Sequence, residues 1–220
     1  MPRVAEPRPP AAPVTDRQRA RRLAILRAAR ALGTEHDLEH VQMQEVARDA
    51  DVALSTLYRY FPSKVHLFVG LLAAGVERFA VEFAPGPRDR PPDEAVASVL
   101  LAASHRLLAQ PVLSASMLQA SNAADPAVVP DVEYTDSTMK QLLLDVVGIT
   151  DPSEHDHLLV RLVLQSWYGV LQTALNGRLS REQHDEDIRE ACRLLLAPWA
   201  GTDHADRPAL EVTETGSGVG

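Results

Sequence analysis

From Thr15 to Ala197 the apolar residues of this chain recur every three or four positions, and most of the breaks in the pattern lie near proline or glycine. That period belongs to the α-helix, where residues i, i+3, i+4 and i+7 share one face. No β-branched alternating run competes with it. The single Asn-Gly pair, Asn176-Gly177, follows a helical stretch and reads as a helix C-cap rather than a hairpin turn. The sequence predicts an all-α protein.

The breakers set the expected boundaries. Thr15 with Gln18 makes a capping box for a first helix. Ile25, Ala28, Ala29 and Leu32 lie in register on it, and Gly33 is expected to end it. Met43, Val46, Ala47 and Ala50 mark a short second helix, Asp51-Val52-Ala53 a tight connection, and Ser55 to Tyr60 a very short third. Pro62 stops the third, because proline lacks an N–H and clashes with the preceding turn. Either Ser63 then caps a longer helix reaching about Phe83 or Pro62 sits in its first turn, and residues 84–92 form a breaker-rich linker. Further helices are expected over 93–109, 111–123, 126–147, 152–176 and 181–197. Gln110-Pro111, Asp125-Pro126 and Asp151-Pro152 mark boundaries among them, since a residue before proline avoids the helical region. Residues 1–14 and 201–220 lack apolar periodicity and are expected to be a disordered arm and tail.

Net charge is −8, which taken alone argues against a nucleic-acid partner. Its distribution reverses that. Residues 1–64 carry 11 Lys and Arg against 8 Asp and Glu, whereas residues 65–220 carry 11 against 22. A basic N-terminal segment on an acidic body suits a small nucleic-acid-binding module joined to a second function. The one cysteine, Cys192, allows no intrachain disulfide and fits a reducing cytosol. With no signal-peptide pattern and no run approaching 18 apolar residues, a cytoplasmic protein without a membrane span is expected.

Function concentrates at STLYRYFPSK, residues 55–64, which holds Tyr58, Tyr60 and Phe61 among polar neighbours. Two short helices joined by a few residues and packed on a longer one make a helix-turn-helix. If Leu57 faces the core, Phe61 returns to the same side, and Ser55 and Arg59 point nearly opposite. Thr56 and Tyr60 flank one side of that ridge and Tyr58 the other. A recognition helix needs such a ridge for base edges, with hydroxyl donors beside it for phosphates. Lys64 lies at a helix N-terminus, a natural anion site. Arg17, Arg19, Arg21 and Arg22 stand where the arm meets the first helix, within reach of a DNA backbone or minor groove. Any one of these residues alone would more often be ordinary surface or packing; their joint occurrence carries the reading.

VQMQEVARDADVALSTLYRYFPSKVHLF, residues 41–68, resembles the DNA-binding signature of the TetR-type transcriptional regulators. The resemblance implies an all-helical homodimer with a separate effector-binding body. By position, Gln44, Thr56, Tyr58, Tyr60 and Lys64 would contact phosphates, with Ser55, Thr56 and Arg59 nearest the bases. The fourth helix would begin at Lys64. Gln42 stands where many members have a capping Thr, and Asp51 and Ala53 stand where Gly and Ser are usual. Within the family, the segments VQM, ADVA and TLYRYFPSKVHL are similar to the actinobacterial repressors of steroid (cholesterol) catabolism.

The implied division is a DNA-binding domain over 15–64 and an effector-binding and dimerisation domain over 65–200. The helix over 152–176 has almost no polar face, so it is expected to be buried on all sides, partly by a second copy of the chain. The final helix, with Ile188, Ala191, Cys192 and Leu195 in register, completes that interface. Phe79, Phe83, Leu113, Met117, Leu118, Met139, Leu143, Trp167 and Leu171 are the large residues expected around an apolar effector, though plain core packing is the commoner role for each. By resemblance the effector is a steroid or an acyl-CoA thioester. No catalytic motif appears, and no cofactor is expected. His155, His157, His184 and Asp185 invite a metal reading, but i and i+2 on a helix do not share a face, and solvated positions near helix starts explain them better. The resulting expectation is a ligand-responsive regulator, most simply a repressor. The rivals are an activator with the same contacts and a helical ligand-binding or enzymatic domain without DNA.

Overall fold

The computed structural model describes residues 13–83 and 90–199. Among them the regular elements are all helical. They are α1 (Asp16–Glu35), α2 (Met43–Asp49), α3 (Leu54–Tyr60), α4 (Lys64–Glu82), α5 (Pro92–Leu108), α6 (Pro111–Ala123), α7 (Asp131–Val147), α8 (Glu154–Leu175) and α9 (Arg181–Leu195), with a 3-10 turn at Ala197–Trp199. The expected tail, nearly all of the expected arm and most of the 84–92 linker lie outside the described residues.

Helix starts follow the capping chemistry. Thr15 Oγ1 accepts from the Gln18 N–H at 3.3 Å while Gln18 Oε1 accepts from the Thr15 N–H at 3.0 Å. The same reciprocal box opens α8 through Ser153 and Asp156, and α9 through Ser180 and Gln183. Asn176 caps α8, and Gly177 follows at φ +69°, the left-handed conformation that glycine adopts at no steric cost.

Two expected boundaries move. α1 continues through Gly33 to Glu35, because Gly33 is a packing position rather than a terminator. A Cβ there would stand 2.8 Å from Leu113 Cδ1 and 3.1 Å from Phe68 Cε1, so glycine lets α1 press against α4 and α6. α7 begins at Asp131 and not at Pro126. The Val128 and Val129 N–H groups both donate to the Asp125 carbonyl in a turn, and Pro130 prevents that turn from running on as helix.

The chain divides into two compact units. Among the described residues, the first comprises 13–83 and 103–139, the second 90–102 and 140–199. In the first unit α1 packs on α2, α4 and α6, α4 packs on α6, and α2 packs on α3. Ile25, Leu57, Phe61, Leu67 and Phe68 are completely or almost completely buried there.

In the second unit α8 packs along α9, burying Val160, Val163, Leu171, Ile188 and Cys192. Trp199 closes it by donating from Nε1 to Asp156 Oδ1 at 2.8 Å, which gives a buried carboxylate a second role besides its cap. Within the single chain α8 is not covered all round. Leu162 is exposed, and Leu164, Trp167 and Val170 are only half-buried. Among the described residues α8 is also the one single helix long and apolar enough to cross a membrane, yet one face of it is committed to α9. His184 corrects another expectation. It is fully buried rather than solvated, its Nδ1 lying 2.9 Å from Asp185 Oδ1.

Burial pushes the Cys192 thiol up to about 12, with the Asp93 charge adding to the effect. The native thiol stays protonated where the unfolded one ionises, so its contribution to stability is complete below about pH 8.5 and is lost as pH rises towards 12. Native Cys192 should therefore resist a thiol reagent at pH 8 and react only as fast as the protein unfolds, which the time course of labelling with and without urea would show.

Candidate nucleic-acid interface

α2 and α3 are each two turns or less and are held by their contacts rather than by strong caps. Gln42 precedes α2 without a side-chain cap bond; its Nε2 instead donates to the His40 carbonyl at 3.3 Å. Ala53 precedes α3 and has no side chain with which to cap. Packing of Val46, Ala47 and Leu57 into the core supplies what the caps do not. In the connection, the Val52 N–H donates to the Ala47 carbonyl at 3.0 Å, and Asp51 sits at φ +52°. Only glycine adopts that conformation freely, and Asp and Asn tolerate it better than other residues. Asp51 thus occupies the turn geometry for which the resembling sequences use glycine. α4 begins at Lys64, as expected, with Ser63 Oγ accepting from the His66 N–H at 3.3 Å.

The faces of α3 are sharply different. Leu57 and Phe61 are buried, while Ser55, Tyr58 and Arg59 are exposed and Thr56 is half-buried. Gln44 is exposed on α2. Tyr60 departs from the expectation: it is 3 % exposed and belongs to the core. It stands three residues after Leu57, and positions i and i+3 share a helix face. Its hydroxyl is buried with no hydrogen-bond partner among the described residues, and the Arg59 guanidinium lies 5.3 Å above its ring. The polar ridge therefore has one phenol beside it, Tyr58.

The cations divide likewise. Arg17 and Arg19 are exposed at the start of α1, Arg19 pairing with Asp16 at 2.6 Å. Lys64 is half-buried and donates from Nζ to the Glu39 carbonyl at 2.9 Å. Arg22 does not stand free for a phosphate. Its guanidinium lies 5.4 Å over the Phe61 ring and 3.6 Å from Asp131 Oδ2. Sequence reasoning missed Asp131, since nothing local to it signals a partner on α1.

Of the residues expected around an effector, Phe79, Leu113, Met117, Leu118 and Met139 are buried in the first unit, and Leu143 and Leu171 in the second. Phe83 and Trp167 are half-buried. The Phe79 and Phe83 rings pack at 5.4 Å, tilted by 41°, and Arg106 covers Phe79 at 4.9 Å while pairing with Glu82 at 2.8 Å. An open groove of about 800 Å³ between α5 and α9 is lined largely by charged side chains, including Asp93, Glu94, Glu186 and Arg193, and by none of these nine.

Residues 25–71 match the model for bacterial regulatory proteins of the tetR family, and residues 90–195 match the tetracyclin repressor-like C-terminal domain. The chain belongs to the TetR family. Within it, the HTH-type transcriptional repressor KstR of Rhodococcus jostii RHA1 is 34% identical over 179 residues, covering 81% of this chain and 84% of that protein. KstR of Mycobacterium tuberculosis H37Rv is 30% identical over 189 residues, covering 83% of each. A TetR transcriptional regulator from Rhodococcus sp. RHA1 of known structure superimposes with a TM-score of 0.78 at 46% identity, covering 82% of this chain and 98% of that one. The TetR family's N-terminal model thus covers the helix-turn-helix derived above, from within α1 to within α4.

Three substitutions at two positions test these assignments. Removing the unpartnered hydroxyl in Tyr60→Phe should leave stability unchanged or raise it by about 1 kcal/mol, without weakening DNA binding. Asp51→Val should lower stability by about 1–2 kcal/mol through the strained backbone, whereas Asp51→Gly should not. Urea unfolding curves of the three variants check both expectations.

Proposed function

We propose that this TetR-family protein is a ligand-responsive repressor that binds a pseudo-palindromic operator as a homodimer. The observation that carries the DNA reading is the two-faced α3, which buries Leu57, Tyr60 and Phe61 and exposes Ser55, Tyr58 and Arg59. Ser55, Thr56 and Arg59 read base edges in the major groove, while Gln44, Tyr58, Lys64, Arg17 and Arg19 hold the phosphates. Two such heads engage successive major grooves about 34–36 Å apart, or at a related helical spacing. Functionally, residues 15–64 read the operator and residues 65–200 bind the effector and the second copy.

Support for the remaining parts is of three kinds. The curated relatives are named repressors, which favours repression over activation. Leu162, Leu164, Trp167 and Val170 form apolar surface on α8 that a second copy of the chain, pairing through α8 and α9, would cover. The large apolar side chains that the sequence offers in its body suit a bulky apolar effector, and the resemblance to steroid-catabolism repressors points to a steroid or its CoA thioester. Effector binding releases the operator by favouring a body conformation in which the two heads no longer match the grooves. A cytoplasmic location follows from this role.

A mobility-shift assay on the DNA upstream of the gene and its neighbours, repeated with steroids and acyl-CoA thioesters, tests the reading. A specific shift abolished by one of those ligands is expected; no shift on any of these duplexes would sink it. Lys64→Ala should weaken binding to all sequences and reduce the salt slope by about 0.9, the signature of one phosphate contact. Tyr58→Phe should also weaken binding without regard to sequence. Arg59→Ala should instead relax preference at one base pair by about 1–3 kcal/mol, measured by competition among single-base operator variants.

A further inference from the structure

Four segments of the first unit converge at Phe61, the residue that ends α3. Arg22 comes from α1, Gly70 from α4 and Asp131 from the first turn of α7. The Arg22 guanidinium lies 5.4 Å above the Phe61 ring and reaches Asp131 Oδ2 at 3.6 Å. Gly70 makes the convergence possible. A Cβ there would stand 2.7 Å from Phe61 Cε1 and 3.4 Å from Asp131 Oδ2, so any side chain would expel the ring. A second tie lands three residues earlier on the same turn. His66 Nε2 donates to the Val128 carbonyl at 3.3 Å, while its Nδ1 lies 2.8 Å from Ser63 Oγ.

Both ties run from the DNA-reading end of the unit to residues 128–131. The turn is rigid, with two N–H groups on the Asp125 carbonyl and Pro130 before the helix. Asp131 also lies where a helix N-terminus favours a carboxylate. We infer that Arg22 and Asp131 form a strap that fixes the orientation of the reading head, Arg22 gripping Phe61 from above and Asp131 anchoring Arg22 to α7. Arg22 is then a positioning residue and not a phosphate contact. Operator affinity depends on Asp131, a residue that touches no part of the reading helix's exposed ridge. The inference rests on the DNA-binding role proposed above for its functional consequence, and on the contacts alone for the strap itself.

The test compares full-length wild type with Arg22→Ala, Asp131→Ala and the double variant. One measurement is amide hydrogen exchange over residues 54–61 without DNA. Another is operator affinity across a salt series. Each single substitution should speed exchange across that segment and shift operator affinity in the same direction, by about three- to tenfold, with no change in salt slope. The double variant should shift no further than the larger single effect, because both remove one interaction. Asp131→Ala is decisive. Losing a negative charge would by simple electrostatics strengthen DNA binding, so a parallel loss in both variants has no explanation in net charge. The strap is overturned if exchange over 54–61 is unchanged in Asp131→Ala. It is equally overturned if Arg22→Ala lowers the salt slope by about 0.9 while Asp131→Ala leaves affinity unchanged or raises it, the behaviour of a plain phosphate contact. If the wild type binds no duplex, the repressor reading fails and the exchange data still decide the strap. Should an alanine variant fail to fold, Arg22→Lys and Asp131→Asn carry the same comparison, one losing the planar stack and the other the charge.

Discussion

Where α1 meets α4 and α6 there is no room for a side chain at Gly33: Leu113 and Phe68 already occupy the space a Cβ would need. This close seat positions everything else in the first unit. α2 packs on α1 and α3 on α2, so the short α3 takes its place through the helices that pack before it. A seven-residue helix has too few internal hydrogen bonds to be stable alone. Its orientation is fixed by buried Leu57, Tyr60 and Phe61, with Arg22 of α1 and Gly70 of α4 closing around the Phe61 ring.

The same dependence gives charge its meaning. A cluster of arginines at the start of α1 looks uniform in sequence, yet the fold gives its members separate work. Arg17 and Arg19 stay in solvent, where their attraction to a polyanion is long-range and salt-dependent. Arg22 is turned onto an aromatic face and a carboxylate, and its charge serves the architecture. Membership of the TetR family accounts for the helix-turn-helix. The relation between Arg22, Phe61 and Asp131 comes from this chain's own side chains.

Much of the candidate site was legible before the structure. The third helix, the stop at Pro62, the cap at Ser63 and the outward ridge of Ser55 and Arg59 all follow from local rules. Asp51 stands where glycine is usual, and only the structure shows why the position matters: its φ is positive. Tyr60 was misplaced for a geometrical reason: a residue 60° from the centre of a buried face goes inward or outward according to what packs there. Gly33 was misread because glycine ends helices and also permits close approach, and sequence alone does not separate the two. The start of α7 differs from the expected one because Pro126 and Pro130 both suit a helix start, and the turn on the Asp125 carbonyl separates them.

By itself the sequence determined the helical period, the breakers between helices and the two-sided character of the reading helix, since each is decided within a turn or two of chain. It also determined family membership, which rests on residue identity along the chain. Only the tertiary structure decided which of the amphipathic residues are covered and which cations are spent on internal partners. Arg22 and Asp131 meet because α1, α4 and the turn before α7 fold onto one another, and that meeting depends on distances between segments that no local pattern encodes.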